Sequence, residues 1–579
     1  MENRLKVMLT TEGTFPFHQG GVSTWCDSLV HKLKDIDFVL YSIIMNPFVT
    51  QKFNLPTDSS LIKVPLWGTE EPSEHLSTPF SEVYIAKRRT VDEVIDGRFI
   101  PLFEEMINEI LTKEKNATRL AYILFELHKY FQEFEYKKSF KSKITWDAYK
   151  AIILKFTADK KNKMEQPNVY SLIQSLGWIY RFLNILNTPI PDVHVTHSAA
   201  AAFCGIPCVL AKLKYNTPFM LTEHGVYLRE QYLTLSQRGY SSFLNTFLMG
   251  FIHSVTGLNY AFADQVSPVC QYNTRWERQF GVDQRKIKVI YNGVDEKVFH
   301  PEIEHKRNVY PTVVTVARID PNKDIITLLR SAYIVKMNIP DVRFIVYGSV
   351  AVPDYFDECL KLREELGLTE AFIFAGHTAD APAAYKSGDI TVLSSISEAF
   401  PYSVVEAMMC GKPVISTDVG GVREAIGETG IVVKPREPEE FAKAIIMLLK
   451  NPSLCASMGA EARDRALNNF TLNRVLGLHF KSYLNLAVNT TEVKAIPESS
   501  SNLKLLIEKG FALMDTGMYE DAIKMLRSVL KLAYDSPAAP VILTEIANAY
   551  NSLGQFNLAL QELEKAENIE KIINSKNIA

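Results

Sequence analysis

A chain of 579 residues exceeds what one hydrophobic core supports, so two large domains plus additions are expected. Its 63 basic and 66 acidic residues leave a formal charge of −3, which excludes a general electrostatic pull toward nucleic acid or anionic membranes and makes any phosphate site a local one. The composition, 47% hydrophobic and 22% charged, is ordinary for a globular protein, and seven scattered cysteines speak for a reducing compartment and against a disulfide framework.

The opening MENRLKVMLTTEG has no apolar signal core, and no apolar run spans a bilayer, so a soluble cytoplasmic protein is the expectation. Residues 5–11, LKVMLTT, form a short apolar run suited to a central parallel strand. The loop EGTFPFHQGG and the helical pattern VSTWCDSLVHKLKD follow, which is the opening of a doubly wound nucleotide-binding half. The dinucleotide fingerprint G-x-G-x-x-G is absent, but Gly20 and Gly21 before the helix allow a ligand to approach the backbone closely. FVLYSII and LIKVPLW continue the strand pattern to about residue 67.

From about residue 73 to 187 the periodicity becomes helical, as in FEEMINEILTKE and LAYILFELHKYFQEFEY, and a helical insertion in an α/β domain is expected. Its aromatic residues read as the insertion's own core, with an acceptor-side wall as the alternative. Strands resume at 192–198, 218–225 and 263–270, each ending in polar residues at a ligand edge. His197 and His224 stand at such ends and are candidates to touch substrate, whereas Asp264 reads as a capping residue. Cys204 and Cys208 read as buried thiols.

A polar stretch, EKVFHPEIEHKRNVYP, separates a domain of residues 1–300 from one of residues 301–490. The second opens on the strand TVVTVARID and adds VRFIVYGS, FIFAGH, ITVLSS and PVIST, alternating with helices. Arg318 and Lys323 flank its first turn, where two cations facing a helix beginning at Pro401 would neutralise a diphosphate. That helix lies in residues 397–421, SEAFPYSVVEAMMCGKPVISTDVGG, read as a loop, a helix of about three turns and a strand. Its N-terminus suits phosphate, while Glu398 before it and Glu406 inside it suit the hydroxyls of a sugar and a ribose. Of three helices between 437 and 489, the last can cross back to the first domain. After the linker ESSSN, residues 500–579 echo themselves at an offset of 37: Gly517, Tyr519 and Ala522 align with Gly554, Phe556 and Ala559, close to the tetratricopeptide period of about 34. Such helical hairpins make a docking or capping module.

Two successive Rossmann-like parallel-sheet domains facing across a cleft, joined to the 397–421 motif, resemble the GT-B glycosyltransferases, and within them the retaining GT4 family. GTFPFHQGGVSTW, VPLWG, TEHGVYLRE and IYNGVD resemble its PelF type, which acts in Pel exopolysaccharide systems. The resemblance implies hexose transfer from a UDP-sugar to a carbohydrate acceptor, with retention and without a metal or other cofactor. It implies that Arg318 and Lys323 hold the diphosphate, that Glu398 lies at the transferred sugar, and that Glu406 takes the ribose hydroxyls. Ala399, Phe400, Pro401, Tyr402, Ser403 and Val404 would give backbone contacts, Gly20 and Gly21 would lie near the diphosphate and acceptor, and His224 near the reacting sugar. A membrane-bound polysaccharide synthase is the partner class implied for the C-terminal repeats. A sugar-nucleotide epimerase and an inactive sugar-nucleotide-binding adaptor remain the alternatives.

Overall fold

The computed structural model describes residues 4–67, 79–301, 308–491, 509–514, 516–532 and 539–576. Two compact units form, one of residues 6–480 and one of residues 481–579 with the first five.

The larger unit holds two sheets, each of six strands and each parallel in every pairing. The first runs in the order β3-β2-β1-β4-β5-β6 and comprises β1 (Leu5–Glu12), β2 (Ile36–Ile44), β3 (Ser60–Pro65), β4 (Val195–Ser198), β5 (Phe219–Glu223) and β6 (Gln265–Pro268). The second runs β12-β11-β10-β7-β8-β9. It is built from β7 (Thr312–Val316), β8 (Arg343–Tyr347), β9 (Phe372–Gly376), β10 (Ile390–Leu393), β11 (Val414–Thr417) and β12 (Ile431–Val433). Both chains wind outward from the centre in opposite directions, so each sheet has a switch point, between β1 and β4 and between β7 and β10. Loops diverge there and leave a crevice at the strands' carboxyl ends. β12 has no counterpart in the sequence reading, since three residues after a glycine turn carry no periodicity. The strands expected at 192–198, 218–225 and 263–270 shorten to β4, β5 and β6; β4 loses its first three residues and keeps His197, while β5 and β6 lose residues at both ends, which leaves His224 in a loop.

Between β3 and β4 the described residues from Phe80 to Asn187 are helical or loop. Phe99, Phe103, Phe131 and Phe140 pack ring against ring and are continuous with Met8, Tyr41 and Val64 of the sheet, so insertion and sheet share one core. The start of the expected insertion, 73–78, lies outside the described residues, as do 302–307 of the interdomain stretch and the linker ESSSN. Asp264 accepts from Lys212 Nζ at 2.7 Å and from the Phe219 N–H at 2.9 Å, which ties β5 to the sheet edge. Cys204 and Cys208 are buried free thiols, with burial pushing Cys208 up to about 12. No helix among the described residues is long and apolar enough to cross a membrane.

In the smaller unit, helices Tyr519–Leu532, Ala539–Ser552 and Phe556–Lys576 follow one another. Gly517 and Gly554 both take left-handed φ, 74° and 72°, just before a helix, and Ala522 and Ala559 are both buried. The internal echo in the sequence is thus an echo of local structure.

In the larger unit, the first residues of a long helix, α6 (Leu472–Thr491), return to the first domain through His479. For reference along the chain, α1 is Gly21–Lys32, α2 Val169–Phe182, α3 Tyr227–Gln237, α4 Ser242–Phe262 and α5 Tyr402–Met409. Trp25 of α1 donates its indole N–H to His479 Nε2 of α6 at 3.2 Å. The same ring packs edge-on against His197 and His224, with centroids 5.3 and 4.6 Å away. Burial lowers all three histidines, His224 and His479 from 6.5 to about 3, so they are neutral in the fold. An unfolded chain binds protons at these sites near pH 6.5 and the folded chain does not, so stability is complete above that value and declines as pH falls toward 3, by about 1.4 kcal/mol per pH unit for each histidine in the window. The thermal midpoint should therefore drop between pH 7.5 and pH 5, and His479→Phe should make the drop shallower. An unchanged slope would mean these histidines do not govern acid sensitivity.

Candidate active site

The loops leaving β7 and β10 are laced together at the second switch point. Asn322 donates its N–H to Asp320 at 2.9 Å and its side-chain amide to the Ser397 carbonyl at 2.9 Å, and Ser394 Oγ donates to the Lys323 carbonyl at 2.7 Å. This lacing brings the Lys323 ammonium to 2.5 Å from Glu398 Oε1, which also accepts from Ser395 Oγ at 2.6 Å. The two charged side chains are only 17% and 12% exposed, so their attraction is weakly screened and their positions are fixed by each other.

Gly420 and Gly421 support the same loop from below. A Cβ on Gly420, whose φ is +57°, would lie 1.7 Å from the Glu398 carbonyl oxygen, and the Gly421 N–H donates to the Ala399 carbonyl at 2.6 Å. Phe400 turns into the core between Tyr291 and Phe470, with ring centroids 5.0 and 5.2 Å away, and its carbonyl accepts from Asn292 Nδ2 at 3.0 Å. Val404 is buried as well, so these two residues offer a ligand their backbone and not their side chains.

α5 starts one residue later than the sequence reading placed it. Pro401 is its N-cap, with ψ of 122°, and the helix spans eight residues, about two turns instead of three, because Cys410 leaves helical geometry and Gly411 takes φ of +70°. The N–H groups of Tyr402, Ser403 and Val404 fall in its first turn, where a helix has no acceptors of its own and carries partial positive charge. Glu406 is sheltered one turn further in. Burial raises its carboxyl pKa against the opposing effect of the Tyr385 hydroxyl, which donates to Oε2 at 2.7 Å.

Arg318 is placed differently from its expected partner. Its side chain is 69% exposed and its guanidinium lies 3.5 Å from Asp320, while Lys323 is buried in the pair with Glu398. The two cations share a loop but have different neighbours.

The first domain supplies the opposing wall. Gly20 caps α1 and Gly21 begins it, and a Cβ on Gly21 would sit 3.4 Å from the Tyr402 ring, so this loop meets the first residue of α5. Arg229 of α3 donates to Ser397 Oγ at 3.0 Å, and Glu424 accepts from the Gln271 and Tyr272 N–H groups, each at 2.6 Å. His224 stands behind the loop against Trp25, and its sheltered Nε2 has no hydrogen-bond partner among the described residues. His197 lies deeper, its Nε2 2.7 Å from Thr222 Oγ1. Sequence reasoning missed Ser395, Tyr385, Asn292, Arg229 and Glu424. Ser395 lies three residues before Glu398 and could have been read from the loop; Tyr385, 21 residues before Glu406, carries no local signal.

Residues 296–465 match the family described as glycosyl transferases group 1. That match covers most of the second domain. Residues 5–285 match a domain of unknown function, DUF3492. The trehalose synthase of Pyrococcus horikoshii is 34% identical over 185 residues, 30% of this chain and 43% of that protein. The D-inositol 3-phosphate glycosyltransferase of Rhodococcus erythropolis is 32% identical over 228 residues, 36% of this chain and 51% of that protein. The chain thus spans about half the length of the curated relatives it matches. Among solved structures, sucrose-phosphate synthase from Thermosynechococcus elongatus aligns with a TM-score of 0.54 at 17% identity, covering 84% of this chain and all of that one. Anabaena HepE in complex with UDP-glucose aligns with a TM-score of 0.50 at 14% identity, over 83% of this chain and 100% of that one. The fold of the larger unit is GT-B, and the group 1 match lies in its second half.

Because the Glu398 loop lies directly on Gly420, Gly420→Ala should cost about 2 kcal/mol or more in urea unfolding of the group 1 domain. A variant as stable as the parent would show that the loop can move away without loss.

Proposed function

We propose that the protein is a retaining hexosyltransferase that moves a hexose from a UDP-sugar to a carbohydrate acceptor. The observation that carries this reading is the arrangement at the start of α5, where helix N–H groups, the Lys323–Glu398 pair and the sheltered Glu406 lie opposite Gly20 and Gly21. The helix terminus and Lys323 supply fixed positive potential for a diphosphate, with Arg318 close enough along the same loop to swing in from the surface. Glu398 takes sugar hydroxyls and Glu406 the ribose hydroxyls, each already held by a neighbour. His224 Nε2, without a partner among the described residues, is the group assigned to a hydroxyl of the reacting sugar.

Reaction breaks the bond from the hexose C1 to the UDP oxygen while the acceptor oxygen bonds C1 on the same face, and the acceptor's proton passes to the departing phosphate. The protein lowers the barrier by stabilising the charge that grows on UDP, using preorganised N–H groups and cations. We assign no metal to this step. The PelF-type resemblance favours a place in exopolysaccharide synthesis, with the C-terminal helices docking a membrane-bound synthase.

UDP release should be followed with a panel of UDP-sugars, with and without acceptor. Release that depends on acceptor supports transfer, whereas interconversion of the UDP-sugar without release would sink it in favour of epimerisation. Lys323→Ala should lower turnover by about 100-fold or more and Arg318→Ala by about tenfold or more, from lost stabilisation of the leaving group. Near-normal turnover in both variants rejects the site. Activity should also survive a chelator, and metal-reversible loss would overturn the metal-free assignment.

A further inference from the structure

Above the carboxyl ends of β1, β2 and β3 lies a cavity of about 470 Å³, within the size range of small-molecule sites. Its floor is Ile43, Ile44 and Met45 at the exit of β2, with Leu66 and Trp67 after β3. The helical insertion closes one side with Trp178 and Phe182 of α2, and α4 adds Leu248, Phe251 and Ile252. The rings are fixed in place: Trp67 stands edge-on to Trp178 at 5.3 Å, and Phe182 stacks on Phe203 at 4.0 Å.

α3 is the roof. Tyr227, Gln231, Thr234 and Leu235 line the cavity, and their spacing at i, i+4, i+7 and i+8 is one helical stripe, to which Arg238 adds just past the helix end. The remaining polar groups gather where the cavity borders the loop after β1. Glu12 there accepts from the Tyr227 hydroxyl at 3.0 Å and the Cys204 N–H at 3.3 Å, and burial raises its carboxyl to about 7. Two walls are shared with the candidate active site. The chain from Glu12 and His18 leads directly to Gly20 and Gly21, and α3 carries Arg229, which holds Ser397 next to Glu398.

A bare sugar buried in this cavity would leave most of its hydroxyls against aliphatic and aromatic carbon, at a cost for each unmet hydrogen bond. An amphiphile avoids that penalty, because its sugar can stay at the Glu12 end while its chain takes the apolar remainder. We infer that the cavity holds the aliphatic chain of a glycosyl acceptor, placing the attached sugar at the mouth of the active site. The inference rests on the transferase reading above and adds the chemical class of the acceptor.

The test is binding of n-octyl β-D-glucoside, below its micelle concentration, against methyl β-D-glucoside, by calorimetry on the full chain. Each buried methylene is worth about 0.8 kcal/mol, roughly fourfold in affinity, so even a partly seated chain should bind more than about tenfold tighter. Thr234→Trp replaces an exposed lining residue with one that fills the cavity and should abolish the preference. Ser236→Trp, at an exposed position of the same helix outside the lining, should retain it. Equal affinity for the two glucosides, or equal loss in both variants, overturns the inference. UDP-sugar binding measured on the same samples separates the two readings. If a chain-length preference persists in a protein that binds no UDP-sugar, the assignment to an acceptor is removed; UDP-sugar binding without the preference removes the cavity inference alone.

Discussion

Backbone lies on backbone beneath the Glu398 loop, and this contact sets the positions of nearly every group at the candidate site. Gly420 can take a left-handed φ and carries no side chain to strike the Glu398 carbonyl, while Gly421 pins Ala399. With the floor fixed, Phe400 is drawn into the core, Pro401 caps α5, and the first N–H groups of that helix face the first domain. Lacing between Asn322 and Ser397 then brings Lys323 onto Glu398. None of these contacts is individually strong, but they constrain the same few residues and so act together.

Two carboxylates on this frame are held in opposite ways. Glu398 accepts from an ammonium and a hydroxyl, so both of its held partners are donors. Glu406 is sheltered and accepts from a phenol, and its charge is disfavoured by burial. Neither has the setting of a free general base. The arrangement suits both carboxylates to accepting hydroxyls.

The alternation of strands and helices is explicit in the sequence because parallel strands buried on both faces are continuous apolar runs, as in LKVMLTT and PVIST. The motif at 397–421 was readable too, since its glycines, prolines and carboxylates are local signals. What sequence reading could not supply is whatever depends on distant segments meeting. Lys323 bonds Glu398 across 75 residues, Trp25 meets His479 across 454, and Tyr227 meets Glu12 across 215. The sequence reading treated Arg318 and Lys323 as equals because both stand on one loop. Burial separates them, and burial is a property of the folded surroundings.

α3 shows how such long-range meetings link recognition to chemistry. Its inner stripe faces the cavity, while Arg229, two residues along from Tyr227, points to a different face and holds the loop of the group 1 domain. A helix is stiff over three turns, so any shift of the inner face is carried to Arg229 with little loss. Arg229 is tied to Ser397, Ser397 is the neighbour of Glu398, and Glu398 is bonded to Lys323. The cavity wall and the Lys323–Glu398 pair are therefore joined through one short helix.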